Sequence, residues 1–448
     1  MREKSLKSKS GFTLVEALVG AAIFMILALS VYQAYTVTMN VVSLSRVKVT
    51  ATALANEQFE IIRNLPYADV GIVNGLPLGK VPANQTLTRD GKVFTVKTTV
   101  RNIDDPFDGT IGGTPNDLSP ADYKLAELEI NCDTCRNFPP LFITTNIAPK
   151  NLESASTNGA LFVKVFDALG LPVIEADIHI ENNQTIPHFE INDTSNNDGL
   201  LQIVDAPPGA EAYEISVSKD GYTTDQTYTV GDPANPTPSK PHATVLLQQL
   251  TQISFNIDKI STLNIKSIGP ACEAVPDIDF SLTGSKLIGT SPDIYKYSAT
   301  SSTDGTGEEI ITNLDWDTYN LTYTDNDYNF FGILPSPAFS LDPDDTKEVK
   351  IIVSPKIASS SLQIIVKDSA SGQLLPDVVV HLTGPSYDNT LTTGTTTDCL
   401  PAGQVLFTPL TNNTYNVSLT KSGYENTTSS INVSANWKQE EILLTPEN

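Results

Sequence analysis

Lys9-Ser10-Gly11-Phe12-Thr13-Leu14-Val15-Glu16-Ala17 decides how the rest of the chain is read, because a long apolar run follows it. From Ala17 to Ser45 there is no charged residue. Roughly 20 apolar residues in helix cross a bilayer, so the run is long enough to span and to continue past the far surface. Arg2, Lys4, Lys7 and Lys9 precede it and would hold the N-terminus in the cytoplasm. Gly11 closes the polar leader before the apolar core, whereas a secretory peptidase needs its small-residue site after it. Glu16 puts a carboxylate into the apolar run, one helical turn after Phe12. An acid there costs about 2.5–3.5 kcal/mol on insertion scales and needs a partner. If the chain is cut after Gly11, the new α-ammonium of Phe12 is that partner, in its own helix or on a neighbouring subunit.

The seven residues Gly11 to Ala17 behind a short basic leader resemble the class III signal of type IV pilins and pseudopilins. That resemblance implies cleavage between Gly11 and Phe12 by a dedicated membrane prepilin peptidase. It also implies N-methylation of Phe12, and a role for Glu16 in guiding assembly with other pilin subunits into a helical filament. The plainer alternative is an uncleaved signal anchor whose Glu16 snorkels.

From Arg46 the pattern turns amphipathic. Val47, Ala51, Leu54, Ala55, Phe59 and Ile62 recur at helical spacing, with Arg46, Lys48, Glu57, Glu60 and Arg63 between them. Pro66 disfavours helix for the residue before it, so the spine is expected to cover 12–64, about 80 Å as one helix. Ala55 to Tyr67 resembles the end of the spine helix in minor pilins. Many major pilins carry a proline part-way along this helix; here the region reads Ser30-Val31-Tyr32-Gln33-Ala34, which favours a minor pilin or pseudopilin.

At 448 residues the chain has room for about three or four domains after the helix. Its net charge of −24 falls to −27 if residues 1–11 are removed, since they carry four basic residues and one acidic one. Such acidity argues against nucleic acid as a partner, because phosphate contacts need clustered Lys and Arg. It suits an exposed, extended protein that must stay soluble.

Residues 65–150 read as a small β-rich domain on the upper spine. Val93 to Val100, Tyr123 to Ile130 and Leu141 to Thr145 carry the alternation of strands. Asp104, Asp105 and Asp108 cluster beside a turn and are weak calcium candidates without EF-hand spacing; a solvated turn is the competing reading. Cys132 and Cys135 form a Cys-x-x-Cys with no second pair and no nearby His to complete a zinc site, so a local loop disulfide is expected. Cys272 and Cys399 fall in different repeats, and the residues alone do not pair them.

After a polar linker over 151–159 an internal repeat begins. Tyr213 to Tyr222, Tyr319 to Tyr328 and Tyr415 to Tyr424 are alternating strands that end in a turn and a second tyrosine. Upstream of them stand Asn197-Asp198-Gly199, Thr303-Asp304-Gly305 and Thr397-Asp398-Cys399; Leu171 to Ile180 corresponds to Leu375 to Leu382. These units resemble carboxypeptidase regulatory-like, transthyretin-type β-sandwiches, and short strands at regular turn spacing are what a sandwich requires. The expected units are 160–250, 252–356 and 361–446, with joints near Thr251-Gln252 and Ala358 to Ser361. The proline-rich run 231–241 then lies inside the first unit, and Ala243 to Leu250 is its last strand. Short joints imply a semi-rigid stalk.

The fold class expected is therefore modular α+β: a spine helix with a transmembrane half, a small β-rich head, and three tandem all-β sandwiches. No catalysis and no cofactor are expected. None of His179, His188, His242 and His381 begins the His-x-x-Glu that zinc carboxypeptidases need, and there is no Gly-x-Ser-x-Gly elbow or phosphate loop. His179 and His381 occupy matching strand positions. Related adhesin sandwiches carry a Lys–Asn isopeptide promoted by a buried acid. Lys164 and Lys367 stand in first strands, but Ser218 and Thr420 occupy the acid's place, so no isopeptide is expected.

The functional expectation is a minor pilin, a low-copy subunit of a type IV pilus-like filament. It is processed by prepilin peptidase, joined to other pilins and the membrane through its helix, and displays 160–446 outside the cytoplasm, at the cell surface, for adhesion to a surface ligand. The alternatives are a pseudopilin of a type II secretion or DNA-uptake machine and a membrane-anchored carbohydrate-binding or surface protein. Trp316 and Trp437 are the chain's two tryptophans for sugar stacking.

Overall fold

The fold is taken from a computed structural model that describes residues 13–135, 138–150, 156–186, 188–356, 360–395 and 399–447. Helix α1 runs from Leu14 to Arg63, 50 residues, and is about 75 Å long at 1.5 Å per residue. It starts later than expected because Thr13 is extended (φ −78°, ψ 153°) and its hydroxyl accepts from the Glu16 amide, a side-chain N-cap. Thr13-Leu-Val-Glu16 has the capping-box spacing, a local start signal that the reading from Phe12 passed over.

The amphipathic half of α1 buries the stripe foreseen for it. Val47, Ala51, Leu54, Ala55, Phe59 and Ile62 pack against Phe94, Val96, Val100, Ala126, Leu128 and Ile130. The latter belong to an antiparallel sheet of four strands in sequence order, β1 (Asn84–Arg89), β2 (Lys92–Ile103), β3 (Tyr123–Cys132) and β4 (Leu141–Ile147). The polar edge strand β1 has no apolar alternation to announce it. It is set by the two-residue turn Asp90-Gly91, both at positive φ (49° and 72°), which matches the twist of the flanking strands.

Three β-sandwiches follow, each with its own core. In each, an opening strand is central in one sheet, antiparallel to one neighbour and parallel to a closing strand. Gly159–Phe166 pairs with Leu200–Ala206 and, in parallel, Leu250–Asn256. Ser261–Ile268 pairs likewise with Glu308–Leu314 and Thr346–Pro355, and Ser360–Asp368 with Gln404–Leu410 and Trp437–Leu444. The facing sheet of each is built on a tyrosine strand, Gly209–Ser218, Asp317–Tyr323 or Asn413–Thr420, next to Asp177–Asn182, Asp279–Gly284 or Val379–Gly384.

The repeated tyrosine has a structural cause. Tyr213, Tyr319 and Tyr415 are among the largest fully buried side chains. Their phenols donate to the carbonyls of Pro207 (2.5 Å), Asp315 (3.0 Å) and Thr411 (3.0 Å), each a few residues upstream. This is the tyrosine-corner arrangement of Ig-type sandwiches, in which a buried ring closes the turn into its own strand.

Two repeat assignments need correction. Thr251-Gln252, expected as a joint, lies inside the closing strand Leu250–Asn256, whose Phe255 and the following Ile257 are in the first core. The joint therefore falls at about Asp258–Ile260. Ala243–Val245 instead pairs with the tyrosine strand. Both runs alternate, and only their partners separate them. The turn glycines also shift. The carbonyls of Gly199, Gly307 and Gly403, all at positive φ, accept from the opening-strand amides of Val165, Ser267 and Val366. Gly307 and Gly403, rather than Gly305 and Cys399, are thus the equivalents of Gly199. Thr397, Asp398 and Ala358 lie outside the described residues, as does part of the 151–159 linker.

Candidate functional site

The candidate site is the N-terminal half of α1. Its most apolar stretch has a mean hydropathy of 2.4 and none of it is buried against the rest of the chain. Leu14, Phe24 and Tyr32 are 81%, 72% and 66% exposed. An apolar helix face of this length needs cover from lipid or from neighbouring helices. The hydroxyls of Ser30, Thr36 and Thr38 within it need none, since they donate to the carbonyls of Ile26, Gln33 and Ala34, each at 2.8 Å. Glu16 is the acid of the first turn and is exposed. There its charge faces the positive end of the helix dipole, which offsets part of its cost. Gly11 and Phe12 lie outside the described residues.

The expected carboxylate cluster is regrouped. Asp104 accepts from the Ile111 amide at 2.9 Å and Asp105 from the Phe107 amide at 3.1 Å, so both brace the loop. Asp108 converges instead with Asp117 and Asp122, their oxygens within 4.8 Å of one another. Burial, with the charges of Asp117, Asp122 and Asp108 adding to it, pushes the Asp104 carboxyl up. At one oxygen each, the three carboxylates supply three of the six to eight oxygens that calcium takes.

Cys132 and Cys135 are joined by a disulfide at the end of β3, and Cys272 and Cys399 by a second, between the second and third sandwiches. His179 hydrogen-bonds Asn192 and His381 hydrogen-bonds Asp388, each at 2.8 Å across a hairpin on the surface. His242 lies between the hydroxyls of Thr227 and Thr229. Lys367 is ion-paired to Glu441 at 2.6 Å. Ser218 and Thr420 are exposed. Trp316 has the Lys286 ammonium 3.2 Å from its ring centre, and Trp437 meets Phe331 edge-on at 6.4 Å.

Sequence reading missed the contacts that fix the joints. Arg101 on β2 holds Asp193 of the first sandwich, the Glu190 amide donates to Asn74, and Leu76 packs on the first core. The proline-rich loop reaches across the next joint: the amides of Ser239 and Thr290 donate to Ile288 and Thr237, and Asn235 donates to Ile288 at 3.0 Å. At the third joint Gln363 donates to Phe331 at 2.9 Å, beside a cluster of Ile268, Phe331, Ile352, Leu406 and Trp437. A buried lysine was also passed over. Lys124 sits on the core face of β3 and donates to the carbonyls of Tyr67 (2.9 Å) and Val70 (2.6 Å). Its signal was its phase with Ala126, Leu128 and Ile130.

Residues 6–32 match the family described as the prokaryotic N-terminal methylation motif. The match covers the end of the basic leader and the first part of α1, from Leu14 to Tyr32. No curated protein matches the chain. Among solved structures, the Bacillus anthracis TIE protein is similar at 14% identity over 82% of this chain and 74% of that one, with a TM-score of 0.20. A streptococcal ancillary pilin is similar at 11% identity over 65% of this chain and 99% of its own, TM-score 0.19. GBS52, the minor pilin of Streptococcus agalactiae, is similar at 14% identity over 42% and 97%, TM-score 0.16. Superpositions this poor carry no argument about overall fold or function.

Proposed function

We propose that the chain is a minor pilin: a membrane-stored subunit, cut between Gly11 and Phe12 by prepilin peptidase and methylated at Phe12, which enters a type IV pilus-like filament through α1. The observation that carries this reading is the uncovered apolar half of α1, capped at Thr13 with Glu16 in its first turn, inside the segment that matches the methylation motif. Glu16 of one subunit then meets the Phe12 ammonium of its own or a neighbouring helix. Three sandwiches on every subunit would crowd a helical lattice, which supports low copy number. Two disulfides support a C-terminal region outside the cytoplasm.

The sandwiches, which resemble carboxypeptidase regulatory-like repeats, serve as a stalk for surface contact and not as an enzyme. The rival carbohydrate-binding reading is disfavoured by the positions of Trp316 and Trp437, since one stacks on a lysine and the other packs in a joint.

The test is mass spectrometry of the N-terminal peptide from the membrane fraction and from material sheared off the cell. A chain starting at N-methylated Phe12 in both supports the minor pilin. A processed chain confined to the membrane favours the pseudopilin, and an intact leader in both overturns the proposal. Glu16→Ala is expected to leave processing intact and to remove the protein from the sheared fraction.

A further inference from the structure

The position of the Cys272–Cys399 disulfide determines how the outer half of the chain responds to tension. Cys272 follows the opening strand of the second sandwich, Ser261–Ile268. Cys399 precedes the strand Gln404–Leu410 of the third. When the chain is drawn from its two ends, tension follows the shortest covalent route. That route enters at Ser261, crosses from Cys272 to Cys399, and leaves through Leu444. Everything from Asp279–Gly284 to Tyr387–Thr392 lies off it: most of the second sandwich and the first half of the third.

The first sandwich is arranged differently. Its opening and closing strands run parallel, with Ala160 to Phe166 paired in register with Leu250 to Asn256. Drawing on the chain pulls these strands along one another in opposite directions, so their hydrogen bonds are strained together and not one at a time. The second and third sandwiches have the same parallel pairs. In each, however, the disulfide removes one partner from the tensioned route, Thr346–Pro355 in the second and Ser360–Asp368 in the third. Shear pairing alone therefore does not protect them.

We propose that the Cys272–Cys399 disulfide is a tension strap: it caps the distance to which the outer two sandwiches are drawn out and keeps their shared joint closed when either unfolds. The joint suits this role. Cys399 packs with Ile268, Phe331, Leu406 and Trp437. Gly332 lies so close to Pro401 that a Cβ there would meet its ring at 2.5 Å. A subunit anchored by α1 and held by a ligand at its outer end is under just this kind of tension. The physiological role rests on the pilin reading, while the mechanical behaviour does not.

The test is to stretch the full chain, held in a detergent micelle, between handles ligated enzymatically to peptide tags at its two ends. The oxidised chain is compared with the same chain in dithiothreitol and with the C272S/C399S double variant. The bridged cysteines are 127 positions apart, so the reduced chain and the variant are expected to reach a final contour length about 440 Å greater than the oxidised chain. The oxidised chain is also expected to give two long steps, from the β-rich head on the spine and from the first sandwich, where the reduced chain gives four of similar size. Equal final lengths, or as many long steps before reduction as after it, would overturn the strap. The final length does not depend on whether the variant folds as well as the wild type. An unprocessed N-terminus would remove the filament reading and leave the contour length unchanged.

Discussion

Arg101 and Asp193 belong to different folding units and are joined by two parallel hydrogen bonds, Nε to Oδ2 at 2.6 Å and Nη2 to Oδ1 at 2.5 Å. The Asp193 side chain is 8% exposed, and Glu127 adds a second carboxylate 3.8 Å from the guanidinium. Paired forks of this kind fix orientation as well as adding energy. They tie the first sandwich to the sheet that packs on the spine.

Removing one partner leaves the other charge poorly solvated. Arg101→Met is expected to destabilise the joint by about 2 kcal/mol or more, and Asp193→Asn by somewhat less. A double-mutant cycle by urea unfolding checks this; additive losses would show that the pair is not coupled.

The tyrosine corners predict a second set of losses. Tyr319→Phe and Tyr415→Phe each keep the ring and remove a donor from an upstream carbonyl, at an expected cost of about 1–2 kcal/mol. The two sites lie in separate cores, so the double variant should lose the sum of the two. Burial pushes the Tyr319 phenol up, with Asp317 and Asp315 contributing, so ultraviolet titration should show Tyr319 ionising only after exposed tyrosines.

Two glycines separate backbone strain from steric contact. Gly91 (φ +72°) has open space where a Cβ would stand, whereas at Gly199 (φ +67°) a Cβ would lie 2.5 Å from the Val165 carbonyl oxygen. Gly91→Ala is expected to cost about 1 kcal/mol from the left-handed conformation alone, and Gly199→Ala more than about 2 kcal/mol. Equal losses in thermal unfolding would contradict the contact.

Lys124 makes stability depend on pH in an unusual direction. Burial pushes its ammonium down to about 8, against the opposing pull of Asp205 and Asp69. An unfolded lysine titrates near 10.4, so between about pH 8 and pH 10.4 the unfolded chain binds more protons than the folded one. The cost of burying the charge is thus fully present below pH 8 and is relieved as pH rises through this window. Relative to Lys124→Met, the wild type should gain stability from pH 8 to pH 10. A carbon-13 titration of the lysine ε-methylene with a midpoint near 10.4 would contradict the assignment.

Much of the architecture was legible because it is local. The 3.6-residue period placed Val47, Ala51, Leu54, Ala55, Phe59 and Ile62 on one face of the helix, and the two-residue period placed Ala126, Leu128 and Ile130 on one face of β3. The repeated tyrosines marked the same corner in each sandwich. The methylation motif, Gly11 to Ala17, is likewise a contiguous signal.

What the sequence by itself determined, then, is whatever neighbouring residues dictate: a long helix with an apolar, uncovered half, strands with a buried face, and the tyrosine rhythm of three sandwiches. Only the tertiary structure decided which strand closes the first sandwich, that Asp108 meets Asp117 and Asp122, that Arg101 grips Asp193, and that Cys272 pairs with Cys399. Those relations join residues far apart along the chain. Periodicity assigns each residue a face but no partner, and the partner is chosen by how the sheets pack and how successive units dock.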